Sequence, residues 1–207
     1  MYDYLDKVLK ALVKEIYQTF QEYRALSFDE LHIVSQTNEL YAKLDGLNMA
    51  AFRKLVKHYY NSEPHGEADI DIDEWLHKLL YTPSAVIKYA YTPETYRKRD
   101  RLAESLTATK GLVTEYDKAM KYWVLMAGWF ALDVSDAALK QAREDDGVVF
   151  VKWQSEHDNK VCGECSELDG KMFFLNAVPD KPHPNCRCRI VRVEDKDIES
   201  DTISAND

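Results

Sequence analysis

All four cysteines of this 207-residue chain fall between positions 162 and 188, as Cys162-x-x-Cys165 and Cys186-x-Cys188. His183 stands three residues before the second pair. A C-x-x-C turn folds both thiols to the same side and so offers two ligands to one ion. A tetrahedral site needs two more, and the chain supplies three candidates: His183, Cys186 and Cys188. His183-Pro-Asn-Cys186 repeats the i, i+3 spacing of the first pair. Cys186 and Cys188 instead share a face if a strand begins there, because strand side chains alternate. Cys162, Cys165 and Cys186 are assigned as ligands of one structural zinc ion, with His183 and Cys188 competing for the fourth place. The rival readings are metal-free cysteines, reduced or disulfide-paired, and a Cys186–His183 nucleophile.

The stretch around these ligands is short, and so small a unit needs a metal, a disulfide or a larger body to hold it. The N-terminus, MYDYLDKVLK, has acids early and no apolar run of the signal-peptide kind. The uncharged run Tyr122–Leu132 is too short to span a bilayer. The expectation is synthesis in the cytosol and no membrane partner. In that reducing setting paired cysteines read as metal ligands before disulfides.

The net charge of −9 is unevenly spread. Residues 195–207 carry −4, residues 147–194 are neutral, and residues 1–146 carry the rest. An acidic body is a poor non-specific binder of nucleic acid, since phosphate binding depends on lysine and arginine. It suits protein partners and solubility.

The first 146 residues read as helices. Leu5, Val8, Leu9, Leu12, Val13, Ile16 and Phe20 follow the i, i+3, i+4 rhythm. Ser27-Phe-Asp-Glu30 has the form of a capping box opening a second helix, which Asp45-Gly46 is expected to stop. A third helix runs from about Leu47 to Tyr60. Asp71 caps a fourth, which carries Trp75, Leu76, Leu79 and Leu80. Thr82-Pro83 and Thr92-Pro93 are cap-then-proline starts. The helix after Thr92 turns Tyr96, Leu102, Ala103 and Leu106 inward. Leu112–Leu132 is the most buried helix, and Ser135 caps a short one ending near Asp146. Tyr59, Tyr60, Trp75, Tyr81, Tyr89 and Tyr91 are candidate partner contacts, since aromatic residues are enriched at interfaces, with the buried core the preferred place for Trp75.

The period changes at Gly147. Val148–Gln154, Met172–Leu175 and Arg187–Val193 read as strands, rich in β-branched and aromatic residues. Asp169-Gly170 has the signature of a type I′ turn joining two of them. The fold class is therefore α+β: a mainly helical N-terminal body over 1–146 and a small β-containing, zinc-binding module over 147–194. An acidic tail over 195–207 is expected to be disordered.

The residues of the module also form a pattern. Trp153, Asp158, Val161-Cys-x-x-Cys165, Leu168-Asp-Gly170 and Pro182-His-Pro-Asn-Cys-Arg-Cys188 occur in that order. This stretch resembles the C-terminal module of the Mu F-like minor head proteins of tailed bacteriophages, the phage head morphogenesis family. The resemblance covers Val151–Val191 well and Leu106–Met126 loosely. It implies a structural protein of the virion head, associated with the portal protein and with major capsid or scaffolding protein. It also implies a role in head assembly and DNA delivery, with the host cytoplasm as the site of assembly. Arg187, Arg189 and Arg192 form a local basic cluster and are the candidate DNA contact, against the alternative of a solvated strand face.

No catalytic residue is assigned, and the chain is expected not to be an enzyme. H-E-x-x-H, a P-loop, G-x-S-x-G and the deaminase signature are all missing from the sequence. The alternative functions are a zinc-stabilised nuclease built on His157 and a protein-binding adaptor.

Overall fold

The computed structural model describes residues 3–81, 91–182 and 186–193. The expected helix start at Thr82-Pro83, the side chain of Tyr89, His183 and the acidic tail lie outside the described residues. The architecture is α+β, mostly helical with a small antiparallel sheet near the C-terminus.

The body is built from α1 (Asp3–Arg24), α2 (Ile33–Tyr60), α3 (Ile72–Tyr81), α4 (Tyr91–Ala108) and α5 (Val113–Asp145). The two long helices α2 and α5 pack on one another, α1 packs on both, α4 lies against both, and α3 bridges α2 and α4. The α1 stripe is the one the periodicity predicts: Leu5, Val8, Leu12, Ile16 and Phe20 are buried. Tyr59 reaches across from α2, and its hydroxyl accepts the Leu5 N–H in the first turn of α1 at 3.3 Å. That N–H has no partner inside its own helix.

Two expected breaks do not occur. Gly46 lies within α2, where Leu40, Tyr41, Leu44, Asn48, Ala51, Phe52 and Leu55 form one continuous buried stripe. Burial along that stripe outweighs the roughly 1 kcal/mol cost of an interior glycine. Ser135 likewise sits inside α5, and its hydroxyl donates back to the Ala131 carbonyl at 2.7 Å rather than capping a new helix. The capping box at Ser27 also fails to form. The chain turns at Asp29, whose carboxylate accepts the Leu31 N–H at 2.9 Å, and α2 starts only at Ile33.

Other local signals hold. The Asp71 carboxylate accepts the N–H groups of Asp73 and Glu74 at 3.0 Å, capping α3. Gly111, which the sequence alone could place either at a break or inside a longer helix, ends the turn after α4 with φ +79°, and its N–H bonds the Leu106 carbonyl at 2.8 Å. A Cβ on Gly111 would lie 2.5 Å from the Phe28 side chain, so this turn packs directly on the α1–α2 connection. Gly147, at φ +73°, follows the end of α5.

The aromatic residues proposed as partner contacts are mostly core. Tyr59, Tyr60 and Tyr91 are buried, Trp75 is half-buried, and Tyr81 is exposed. Each buried hydroxyl has a partner, as burial of a phenol requires. Tyr60 donates to Asp145 at 2.6 Å and Tyr91 to Asp45 at 2.6 Å. Tyr96, expected to face inward, is exposed. The buried face of α4 runs instead through Tyr91, Thr95, Leu102 and Leu106.

The sheet has the order β2-β1-β3, with both pairings antiparallel. β1 (Phe150–Gln154) is central, with Val151 opposite Phe173 of β2 (Met172–Phe174) and Trp153 opposite Ile190 of β3 (Arg189–Arg192). One face buries Val151 and Trp153, and the other leaves Phe150 and Phe174 exposed with their rings 4.7 Å apart. The short helix α6 (Gly163–Leu168) lies between β1 and β2 in the chain. The Leu168–Lys171 turn therefore joins α6 to β2, not two strands. Asp169 has φ −57° and ψ 131°, and Gly170 has φ +75°. Those values belong to a type II turn, not type I′.

Candidate metal centre

Cys162 is the N-cap of α6. Its Sγ accepts the N–H of Cys165 at 3.4 Å, which satisfies one of the free donors of the helix start and fixes the spacing of the pair. Cys165 lies on the first turn of α6, almost fully buried. The second pair comes from the segment leading into β3, which begins at Arg189 and so later than the expected Arg187. Cys186 and Cys188 are both buried, while Arg187 between them is exposed, so the alternation of extended chain places both thiols on one side.

The Sγ atoms of Cys165, Cys186 and Cys188 all lie within 4.8 Å of one another. Cys165 and Cys186 approach to 3.4 Å as free thiols. Cys162 lines the same small cleft, together with Glu156, Lys160, Val161 and Arg187. Of the two contenders for the fourth ligand, the structure brings Cys188 into the cluster, and His183 lies outside the described residues.

The donor set fits a metal ion. Zinc–sulfur bonds of about 2.3 Å imply tetrahedral sulfur–sulfur edges of about 3.8 Å. The three clustered sulfurs are already gathered on that scale. Burial pushes the Cys165 thiol far above its ordinary value, reinforced by hydrogen bonds among the four cysteines. Burial likewise raises Cys186, although hydrogen bonds from the Cys188 backbone and from Cys165, and after them the Lys181 ammonium, work in the opposite direction. Thiols held protonated by burial become thiolates when a cation replaces the proton, so loading the site releases protons.

The surroundings are organised by charge. Trp153 is buried in the same apolar cluster as the three thiols, with Val161, Leu168, Phe173, Val178 and Ile190 around them. Arg187 turns outward and grips both carboxylate oxygens of Asp158 at 2.7 and 2.8 Å. Asp158 also accepts the Lys160 N–H at 2.9 Å, and hydrogen bonding to Arg187 holds its carboxyl below the usual range. Asp169 accepts the N–H of Ser155 at 2.7 Å, which ties the α6–β2 turn to the end of β1. His157, the base of the nuclease alternative, is exposed at φ +52°. It lies 3.5 Å from the Asp169 carboxylate and is not among the residues lining the cleft.

The basic cluster is internally paired. Arg187 meets Asp158, Arg189 lies 4.0 Å from Glu156, and Arg192 pairs with Glu63 and Asp146, both at 2.6 Å.

The sequence did not point to the residues that join the module to the body. Arg143 of α5 is 2% exposed. It donates to the Ile190 carbonyl at 2.7 Å and to Glu63 at 2.6 Å. Lys181 pairs with Asp136 of α5 at 2.5 Å and donates to the Cys186 carbonyl at 3.2 Å. One signal was available. Arg143 interrupts an apolar run of buried positions, Ala138, Leu139 and Ala142, where a charge needs a partner.

Comparison with protein-family models, with curated proteins and with solved structures found no match to this chain.

Proposed function

We propose that this chain is a minor head protein of a tailed bacteriophage, bound to the portal protein during head assembly, with one structural zinc ion in its C-terminal module. Cys162, Cys165, Cys186 and Cys188 hold the ion, and the ion supplies the cross-link that so small a β module lacks. The role is structural, and no reaction is assigned.

The observation that carries this reading is convergence. The described residues of the phage head morphogenesis pattern are spread over some forty positions, yet they lie around one thiol cluster. Trp153 packs with the thiols, Asp158 clamps the arginine of Cys-Arg-Cys, and Asp169 fixes the turn beside β1. A DNA contact through Arg187, Arg189 and Arg192 would exchange existing ion pairs for phosphate, so it forms no part of the proposal.

Quantitative mass spectrometry of purified particles, counted against the portal protein, tests the reading. A few to about a dozen copies per portal ring is the expected result, the range of a portal-associated structural protein with cyclic symmetry. Recovery only from the soluble lysate overturns the head-protein reading and favours the adaptor. Metal content of the full chain, measured separately, decides the zinc assignment.

A further inference from the structure

The four cysteines do not all belong to one self-contained unit. Cys162 and Cys165 ride on α6, which is held inside the module by Trp153 and the Asp158–Arg187 clamp. Cys186 and Cys188 lead directly into β3, and the segment around β3 is attached to the helical body on both sides. On the Cys186 side, Lys181 spans the Cys186 carbonyl at 3.2 Å and the Asp136 carboxylate of α5 at 2.5 Å. On the far side, Arg143 holds the Ile190 carbonyl, and Arg192 is fixed to Glu63 and Asp146.

We infer that Lys181 is a positioning residue of the metal centre, and that metal binding and docking of the module on α5 are one coupled event. The inference rests on the metal-centre reading above. Its chemistry is that of outer-shell support. A ligand whose backbone carbonyl is pinned by a charge-assisted hydrogen bond cannot swing away from the ion. The ammonium, lying near the thiols, also offsets the negative charge that four thiolates bring to one divalent cation. Lys181 is mostly buried, with 16% of its side chain exposed, so its pull is not that of a fully solvated lysine. The anchor reaches a helix of the body, not a loop of the module. By linkage, whatever factor docking adds to metal affinity, metal adds to docking.

The full chain is the material for the test, with zinc titrated against a chromogenic chelator and helicity followed by circular dichroism. Lys181→Met and Asp136→Asn are each expected to weaken zinc about ten-fold or more, the usual scale for loss of outer-shell support, with helicity retained. Lys181→Arg is expected to recover most of the loss. Lys171→Met removes an exposed cation of the module that is not among the residues lining the cleft, and it is expected to change affinity less than about three-fold, as an exposed charge does. Zinc is also expected to slow amide exchange in β3 of the wild type and to do so less in Lys181→Met. Wild-type affinity in both Lys181→Met and Asp136→Asn overturns the inference. So does a Lys171→Met loss as large as that of Lys181→Met, which would mean general electrostatics and no anchor. A wild-type chain that takes up no zinc overturns the metal centre itself, and that failure is visible before any variant is made.

Discussion

The guanidinium of Arg143 and the carboxylate of Glu63 lie 2.6 Å apart, although eighty positions separate them in the chain. Glu63 gives its other oxygen to Arg192, so one carboxylate ties the end of α5 to β3. Burial alone would push the Glu63 carboxyl up, but the two guanidiniums outweigh it and hold it below its usual value.

Arg143→Met is expected to destabilise the chain by about 3 kcal/mol, the low end for breaking a buried pair, because Arg192 still holds Glu63. Urea unfolding checks the magnitude. The carboxyl is depressed in the folded state, so its contribution is fully present above the ordinary glutamate pKa of 4.5. It is lost as pH falls below that value through the folded-state pKa. Acid titration monitored by Trp fluorescence is therefore expected to loosen the joint below about pH 4.5 in the wild type, and to show a smaller acid step in Arg143→Met.

Gly46→Ala tests whether α2 is one helix. A Cβ at Gly46 meets nothing within 4 Å, so the substitution is expected to stabilise the chain by about 0.5–1 kcal/mol. A loss of stability would mean that the chain turns at Asp45-Gly46, as the local sequence suggests.

Asp133 faces Asp136, Asp180 and Lys181, and burial, followed by repulsion from Asp136, pushes its carboxyl up from 3.8 to about 7. The folded state then holds a proton that the unfolded state has released, so stability falls as pH rises from about 4 to 7 and stays reduced above it. Asp133→Asn is expected to raise stability at pH 8 by on the order of 2 kcal/mol, allowing for its partial exposure, and to change little at pH 4. Thermal melts at the two pH values decide it.

Cys165→Ser removes the most central thiol of the cluster. Faster proteolysis within residues 147–193, loss of stoichiometric zinc and nearly unchanged helicity are expected. Unchanged protease resistance would show that the module leans on the body alone.

The parts of the fold that were legible are those written locally. Cys162-x-x-Cys165, the Asp71 cap, the α1 stripe and the change of period at Gly147 each need only a few neighbouring residues to be read. The false breaks at Gly46 and Ser135 are local signals too, but a buried stripe running through each position overrides them. Spacing alone left His183 and Cys188 as equal contenders for the fourth place; the described residues put Cys188 beside Cys165 and Cys186, and His183 lies outside them. Lys181 carried no local signal, and Arg143, a charge among buried positions, signalled that a partner was needed but not which one. Their partners lie far away in sequence, and one chain carries no local mark of such pairings. The same holds for Tyr59, Tyr60 and Tyr91, whose burial depends on Leu5, Asp145 and Asp45 meeting their hydroxyls.

Helix α5 is 33 residues long, a contour of about 50 Å at 1.5 Å per residue. Its first turns adjoin the Phe28–Gly111 contact and the Arg24–Asp117 pair, and its last turn holds the module through Arg143 and Asp146. The two contact regions at its ends are thus spaced by a single hydrogen-bonded rod. A rigid neighbour that touches both must span that length, and a load applied between them falls on the ion pairs at the joint before it reaches the helix.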